Sequence, residues 1–151
     1  ISLKRYNPDK DFPPYAFVPG KHPHPEKENG HMFGVEVASE KLQEFQDCPA
    51  YLYAIDLYNF GYYWEAHVWL ECLWHHEKRT GDTADFLKAL IKISAGKLKI
   101  KMNQEEIGQT HIERALGLLT DLSQRHEVIA GLELYQVMDN YDLLVLGYLE
   151  G

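Results

Sequence analysis

Two cysteines among 151 residues, Cys48 and Cys72, are too few for a disulfide framework, and neither belongs to a C-x-x-C pair. They read as reduced thiols in a cytoplasmic protein. Cations are also scarce, with 15 Lys and Arg against 23 Asp and Glu and a net charge of −8. A phosphate-binding surface needs clustered Lys and Arg. The one such cluster in the sequence, Lys97, Lys99 and Lys101, alternates in a way that splays it around a helix. The balance therefore argues against a nucleic-acid partner. No apolar run approaches the roughly 18–20 residues that a membrane span needs, so a membrane partner is not expected either. The first residues, ISLKRYNPDKDF, lack the apolar segment of a secretory signal, and the missing initiator Met predicts residues upstream. There is no G-x-S-x-G elbow and no Gly-rich phosphate loop. Strand-like alternation is weak throughout.

What the chain has in quantity is aromatic surface: ten Tyr, six Phe and three Trp, or 13%. Such side chains combine large buried area with a polar handle. Residues 1–35 hold six of the seven prolines and three glycines, which predicts extended segments and turns. Tyr6, Phe12, Tyr15, Phe17, Val18, Met32 and Phe33 give this stretch apolar anchors. It is expected to be an ordered arm, 1–35, lying across a helical body, 36–151.

From Val37 the pattern turns helical. Ser39 is the expected N-cap of a short helix reaching Gln46, and Pro49 then opens a helix that ends near Asn59. Phe60-Gly61 is the turn. A helix over about 62–78 carries Tyr63, Ala66, Leu70, Leu73 and Trp74 on its apolar stripe. Thr80-Gly81-Asp82 ends it, with Asp82 or Thr83 capping the next. Leu87, Leu90, Ile91, Ser94 and Leu98 mark a helix over 83–102. Ser94-Ala95-Gly96 in its middle predicts close approach by a neighbour, because a mid-helix Gly costs about 1 kcal/mol relative to Ala. Asn103 makes a turn, and 104–122 is helical through Ile112, Ala115, Leu116, Leu119 and Leu122. The last 25 or so residues, with Leu134, Val137, Met138, Tyr141, Leu144, Val145 and Tyr148, suggest one terminal helix or two short ones. The fold class is all-α, a single bundle of five or six helices. Two stretches read as matching hairpins, with Ala66 and Ala115 at similar points of their second helices.

Tyr58 to Trp74, YNFGYYWEAHVWLECLW, is the most informative stretch. His67, Glu71 and Trp74 fall at i, i+4 and i+7 on one helix face, with His75 a turn beyond Glu71 and Trp64 flanking. A His–Glu pair of this kind most often satisfies its own hydrogen bonds and fixes packing. Trp64, His67, Glu71 and Trp74 are also the candidate lining of a small-molecule or peptide site. Neutral His and carboxylate at this spacing can hold one divalent metal. Two ligands from the His67, Glu71 and His75 ladder, joined by one or two of His22, His24 and His31 from the arm, would give such an ion three or four ligands. HVWLE is not H-E-x-x-H, so a zincin is rejected. Cys72 lies away from His67 on the helix wheel, so nucleophilic catalysis finds no support. His111 borders its core face and could approach His67 or Glu71. His76 should be solvated, and His126-Glu127 reads as patternless loop.

The stretch 54–122 resembles the small bacterial and archaeal family called domain-of-unknown-function 309. The likeness rests on Asn59-Phe60-Gly61-Tyr62-Tyr63-Trp64-Glu65-Ala66-His67, then Glu71 and Trp74, then Phe86-Leu87-Lys88-Ala89-Leu90-Ile91. The Glu that usually follows the family's His is Val68 here, so no mechanism that needs that carboxylate carries over. The resemblance implies an all-helical bundle and no accepted activity. The residues themselves point to a non-enzymatic binding or structural module. The alternative is a metal-dependent enzyme, of hydrolytic type, centred on His67 and Glu71. Partners to consider are a small molecule, another protein or a second copy of the chain.

Overall fold

A computed structural model describes residues 4–19, 42–77 and 80–147. Ser39 and the arm residues His22, His24, His31, Met32 and Phe33 lie outside them, as do Lys78 and Tyr148. A 3-10 turn, Leu42–Asp47, leads into α1, Pro49–Asn59. Then follow α2, Tyr63–His76, α3, Asp82–Lys101, and α4, Glu105–Ser123. A two-stranded antiparallel ribbon, β1 Val128–Ile129 and β2 Leu132–Glu133, precedes α5, Leu134–Asp139. The architecture is all-α, five α-helices and a minimal ribbon among the described residues.

Every residue of α1 from Ala50 to Tyr58 is buried, including Asp56. A helix apolar all round belongs at the centre of a fold, and the aromatic run AYLYAIDLY explains why. Three tyrosines extend from it to three peripheral segments. Tyr53 donates to the Asp11 carbonyl in the arm (2.7 Å), Tyr51 to the Ala130 carbonyl in the ribbon turn (2.9 Å), and Tyr58 to the Tyr141 carbonyl in the tail. Each ring fills core volume while its hydroxyl satisfies a backbone group at the edge.

The two hairpins close alike. At the end of α1, Gly61 has a φ of 89°; its N–H reaches Tyr58 O (3.1 Å) and the Tyr62 N–H reaches Leu57 O (2.8 Å). At the end of α3, Asn103 has a φ of 62°; its N–H reaches Ile100 O (3.0 Å) and the Gln104 N–H reaches Lys99 O (2.9 Å). Both are Schellman closures, with the left-handed residue where Gly or Asn is favoured. Counted from these residues, Ala54 and Ala66 stand where Gly96 and Gly108 stand. The counterpart of Ala66 is therefore Gly108, not Ala115. Gly96 and Gly108 face each other: a Cβ on either would lie 2.7 Å or 2.5 Å from the other's carbonyl oxygen. The expected close approach at Gly96 is this crossing of α3 and α4.

Four local expectations are corrected. The part of the short first helix that is described is 3-10, because the Cys48 N–H bonds to Phe45 O (3.1 Å) and Pro49 follows at once. Neither Asp82 nor Thr83 caps α3; Gly81 stands at the cap without a side-chain bond, and Asp82 is the first helical residue. The carboxylate of Asp82 accepts instead from Arg125 (3.1 and 3.2 Å) and His126 (2.7 Å), which lower its pKa to about 2. His126 therefore does have a structural role. Finally, the chain after α4 makes the ribbon as well as a helix. Ala130 and Gly131, with φ of 48° and 81°, form the kind of turn that suits a right-twisted hairpin.

Candidate binding face on α2

The arm positions this face. Asp56, fully buried on α1, accepts from the Tyr6 N–H (2.7 Å), the Asn7 N–H (2.8 Å) and Arg5 Nε (2.9 Å). A buried carboxylate is tolerable when donors saturate it in this way. The Arg5 guanidinium also covers the Phe12 ring at 3.9 Å, and Phe12 stacks on Tyr62 at 4.9 Å. Further along, the Phe17 N–H donates to Glu65 Oε2 (2.9 Å), and Glu65 is likewise fully buried. The Phe17 ring meets Trp64 edge-on at 5.1 Å. Two acids, one per helix, thus hold the arm's backbone by its amides.

Beyond Trp64, the outward side of α2 carries the residues singled out above. The His67 ring lies 6.1 Å from that of Trp64, and its Nδ1 is 2.9 Å from the Trp64 carbonyl. A carbonyl only accepts, so Nδ1 carries a proton. Nε2 is then left 3.4 Å from Glu71 Oε1. The side chains are 23% and 45% exposed, so the pair is open to solvent. Trp74 is half-buried, with the exposed His75 against it at 5.2 Å. His76 is exposed.

The structure brings His67 to Glu71 and Trp64, and Trp74 to His75. Among the described residues, no three His, Cys, Asp or Glu side chains converge as a metal group. His24 and His31 lie outside the described residues. Burial depresses the pKa of His111, helped by Lys92, Arg114 and Lys99; its charged surroundings are α3 and α4, not His67 or Glu71. The carboxylates of Asp56 and Glu65 were not singled out from sequence. A lone acid inside the apolar run AYLYAIDLY was the available signal for the first.

Residues 51–110 match the family described as Domain of unknown function (DUF309). Over this segment the chain is similar to the DUF309 family. The segment spans α1, α2, α3 and the start of α4, and so contains both Schellman closures and the Trp64–His67–Glu71–Trp74 face. Arm residues 4–19 and the ribbon lie outside the DUF309 match. No curated protein and no solved structure matches the chain. No helix among the described residues is long and apolar enough to cross a membrane.

Proposed function

We propose that the protein is a non-enzymatic binding module, cytoplasmic, whose ligand face is the outward side of α2. Trp64, His67, Glu71 and Trp74 carry it. The observation behind this reading is the orientation of His67. With Nδ1 held by the Trp64 carbonyl, Nε2 and the Glu71 carboxylate present two acceptors side by side at the surface. A ligand that brings a positive charge or several N–H donors satisfies both at once. Trp74, half-buried and three residues beyond Glu71 on the helix, suits the apolar part of an amine or a peptide side chain, with the Trp64 ring beneath His67 as its floor. The test is an NMR titration of protein with 15N-labelled histidine, using agmatine as the organic cation. Shifts of the His67 ring nitrogens that saturate, and that vanish in Glu71→Gln, are expected. A spectrum unmoved at millimolar agmatine would overturn this assignment.

A second reading rests on the same 3.4 Å separation, since an imidazole nitrogen and a carboxylate at this spacing can share one divalent cation. The contact of Phe17 with Trp64 brings the arm to this face, so His24 and His31 are the ligands it would recruit. The chain would then be a metal-dependent hydrolase. Metal analysis of tag-free protein purified without chelator separates the two readings. Stoichiometric zinc, manganese or iron that is lost in His67→Ala supports the second; metal-free protein that still binds agmatine supports the first.

A further inference from the structure

We propose that the α3–α4 hairpin carries a second binding surface, a cationic face that docks an acidic peptide segment of a partner protein. Lys88, Lys92 and Lys99 recur at i, i+4 and i+11 on α3, one stripe of a helix. His111 and Arg114 follow at i and i+3 on α4. The close crossing at Gly96 and Gly108 sets the two helices side by side, antiparallel, so the stripe and the pair adjoin. The arrangement is invisible along the sequence because it joins residues from two helices.

Three features separate this face from an ordinary solvated surface. The chain is acidic, with a net charge of −8, yet here its cations gather. Among the described residues, none of Lys88, Lys92, Lys99 and Arg114 forms an ion pair, whereas Lys97 is bound by Asp142 and Arg125 by Asp82 and Asp121. Lys92, Lys99 and His111 are half-buried rather than fully extended into water. Their mutual repulsion is felt: burial, then Lys88 and Arg114, lower the pKa of Lys92. Like charges held together without counter-charges destabilise the isolated fold, and a complementary surface relieves that strain.

The shape favours a peptide over other anions. From Lys88 to Lys99 the stripe rises about 16 Å at 1.5 Å per residue, too long for one phosphate group. α3 and α4 carry no Tyr or Trp and a single Phe, Phe86, which is fully buried, so the face offers no large ring on which bases could stack. Ile107, exposed and one turn before His111, offers an apolar contact at the end of the face. Alternating carboxylates with an apolar residue at one end would match it.

Fluorescence anisotropy with a labelled peptide of ten glutamates, at low salt, tests the proposal on the full chain. Saturable binding is expected, weakened at least tenfold in Lys92→Glu/Arg114→Glu and kept within twofold in Lys101→Gln, which lies on another side of α3. If the charge-reversed protein fails to fold by circular dichroism, Lys92→Gln/Arg114→Gln is read instead and should weaken binding at least threefold. No binding by the unaltered protein, or binding that survives both double variants, overturns the proposal. Tighter binding of a labelled deoxythymidine decamer, or of vesicles with 30% anionic lipid, overturns the assignment of the partner as an acidic peptide.

Discussion

Asp56 and Glu71 are both carboxylates with a nitrogen-bearing side chain beside them, yet they differ in what their removal should cost. Asp56 is fully buried and accepts from two arm amides and Arg5. Asp56→Ala would strand those donors, so a loss of about 3 kcal/mol is expected. Glu71 is 45% exposed, and the neighbouring His67 is held by the Trp64 carbonyl without it. An exposed carboxylate beside a ring that is already held elsewhere contributes little, and Glu71→Ala should cost less than about 1 kcal/mol. Urea midpoints of the two variants check the contrast. Limited proteolysis should also find cuts near Tyr6 and Phe12 in Asp56→Ala and not in Glu71→Ala. Equal midpoints would show that the arm is held by something other than Asp56.

At the scale of elements, the crossing of α3 and α4 makes a prediction that helix propensity alone would reverse. Gly→Ala in a helix interior gains about 1 kcal/mol. At Gly108 the new Cβ would meet the Gly96 carbonyl at 2.5 Å and Ile100 Cγ1 at 2.7 Å. Backbone does not yield as a side-chain tip does, so Gly108→Ala should lower stability by about 1–3 kcal/mol. Gly117, on the same helix, has nothing within 4 Å, and Gly117→Ala should raise stability by about 0.5–1 kcal/mol. Thermal melts of the two variants should move in opposite directions. The positions of α1 to α4 were legible in the sequence because their signals are local: Pro49 opens α1, Gly61 and Asn103 close hairpins, and apolar residues recur at helical spacing. The ribbon was not, since two-residue strands are too short to show alternation. Nor were Asp56 and Glu65 as anchors. Their donors come from the arm, and nothing in the residues beside an acid announces a partner fifty positions away.

The whole molecule is organised around α1, whose tyrosines hold the arm, the ribbon turn and the tail at once. Burial raises the pKa of Tyr53 to about 12, opposed by Arg5, and raises that of Tyr58 further, helped by Tyr63. In the unfolded chain both phenols ionise near 10. The unfolded state therefore gives up these protons first as pH rises. Stability that is fully present below pH 10 should decline between about 10 and 12, by an amount on the order of 2 kcal/mol from Tyr53 alone. Urea midpoints measured from pH 8 to 12 should be flat and then fall. Tyr53→Phe, with no proton to lose, should fall less steeply over that interval. An identical slope in both proteins would place the alkaline loss elsewhere.

The hydrogen bond from the Leu146 N–H to the Tyr6 hydroxyl, at 3.0 Å, ties the described beginning of the chain to its described end. Its consequence is one of timing during synthesis. Arg5, Tyr6 and Asn7 leave the ribosome long before Asp56 exists to receive them, and Leu146 emerges later still. The arm can therefore meet Asp56 only after some fifty further residues have emerged, and the tail later still. Only when the tail arrives can Tyr6 be gripped from both sides. Closure of this longest loop, Tyr6 to Leu146, is expected to come late in folding, because long-range loops are entropically the last to repay their closure. Until the arm docks, Asp56 and Glu65 lack its amides, and that is the stage at which another chain's amides can compete for them.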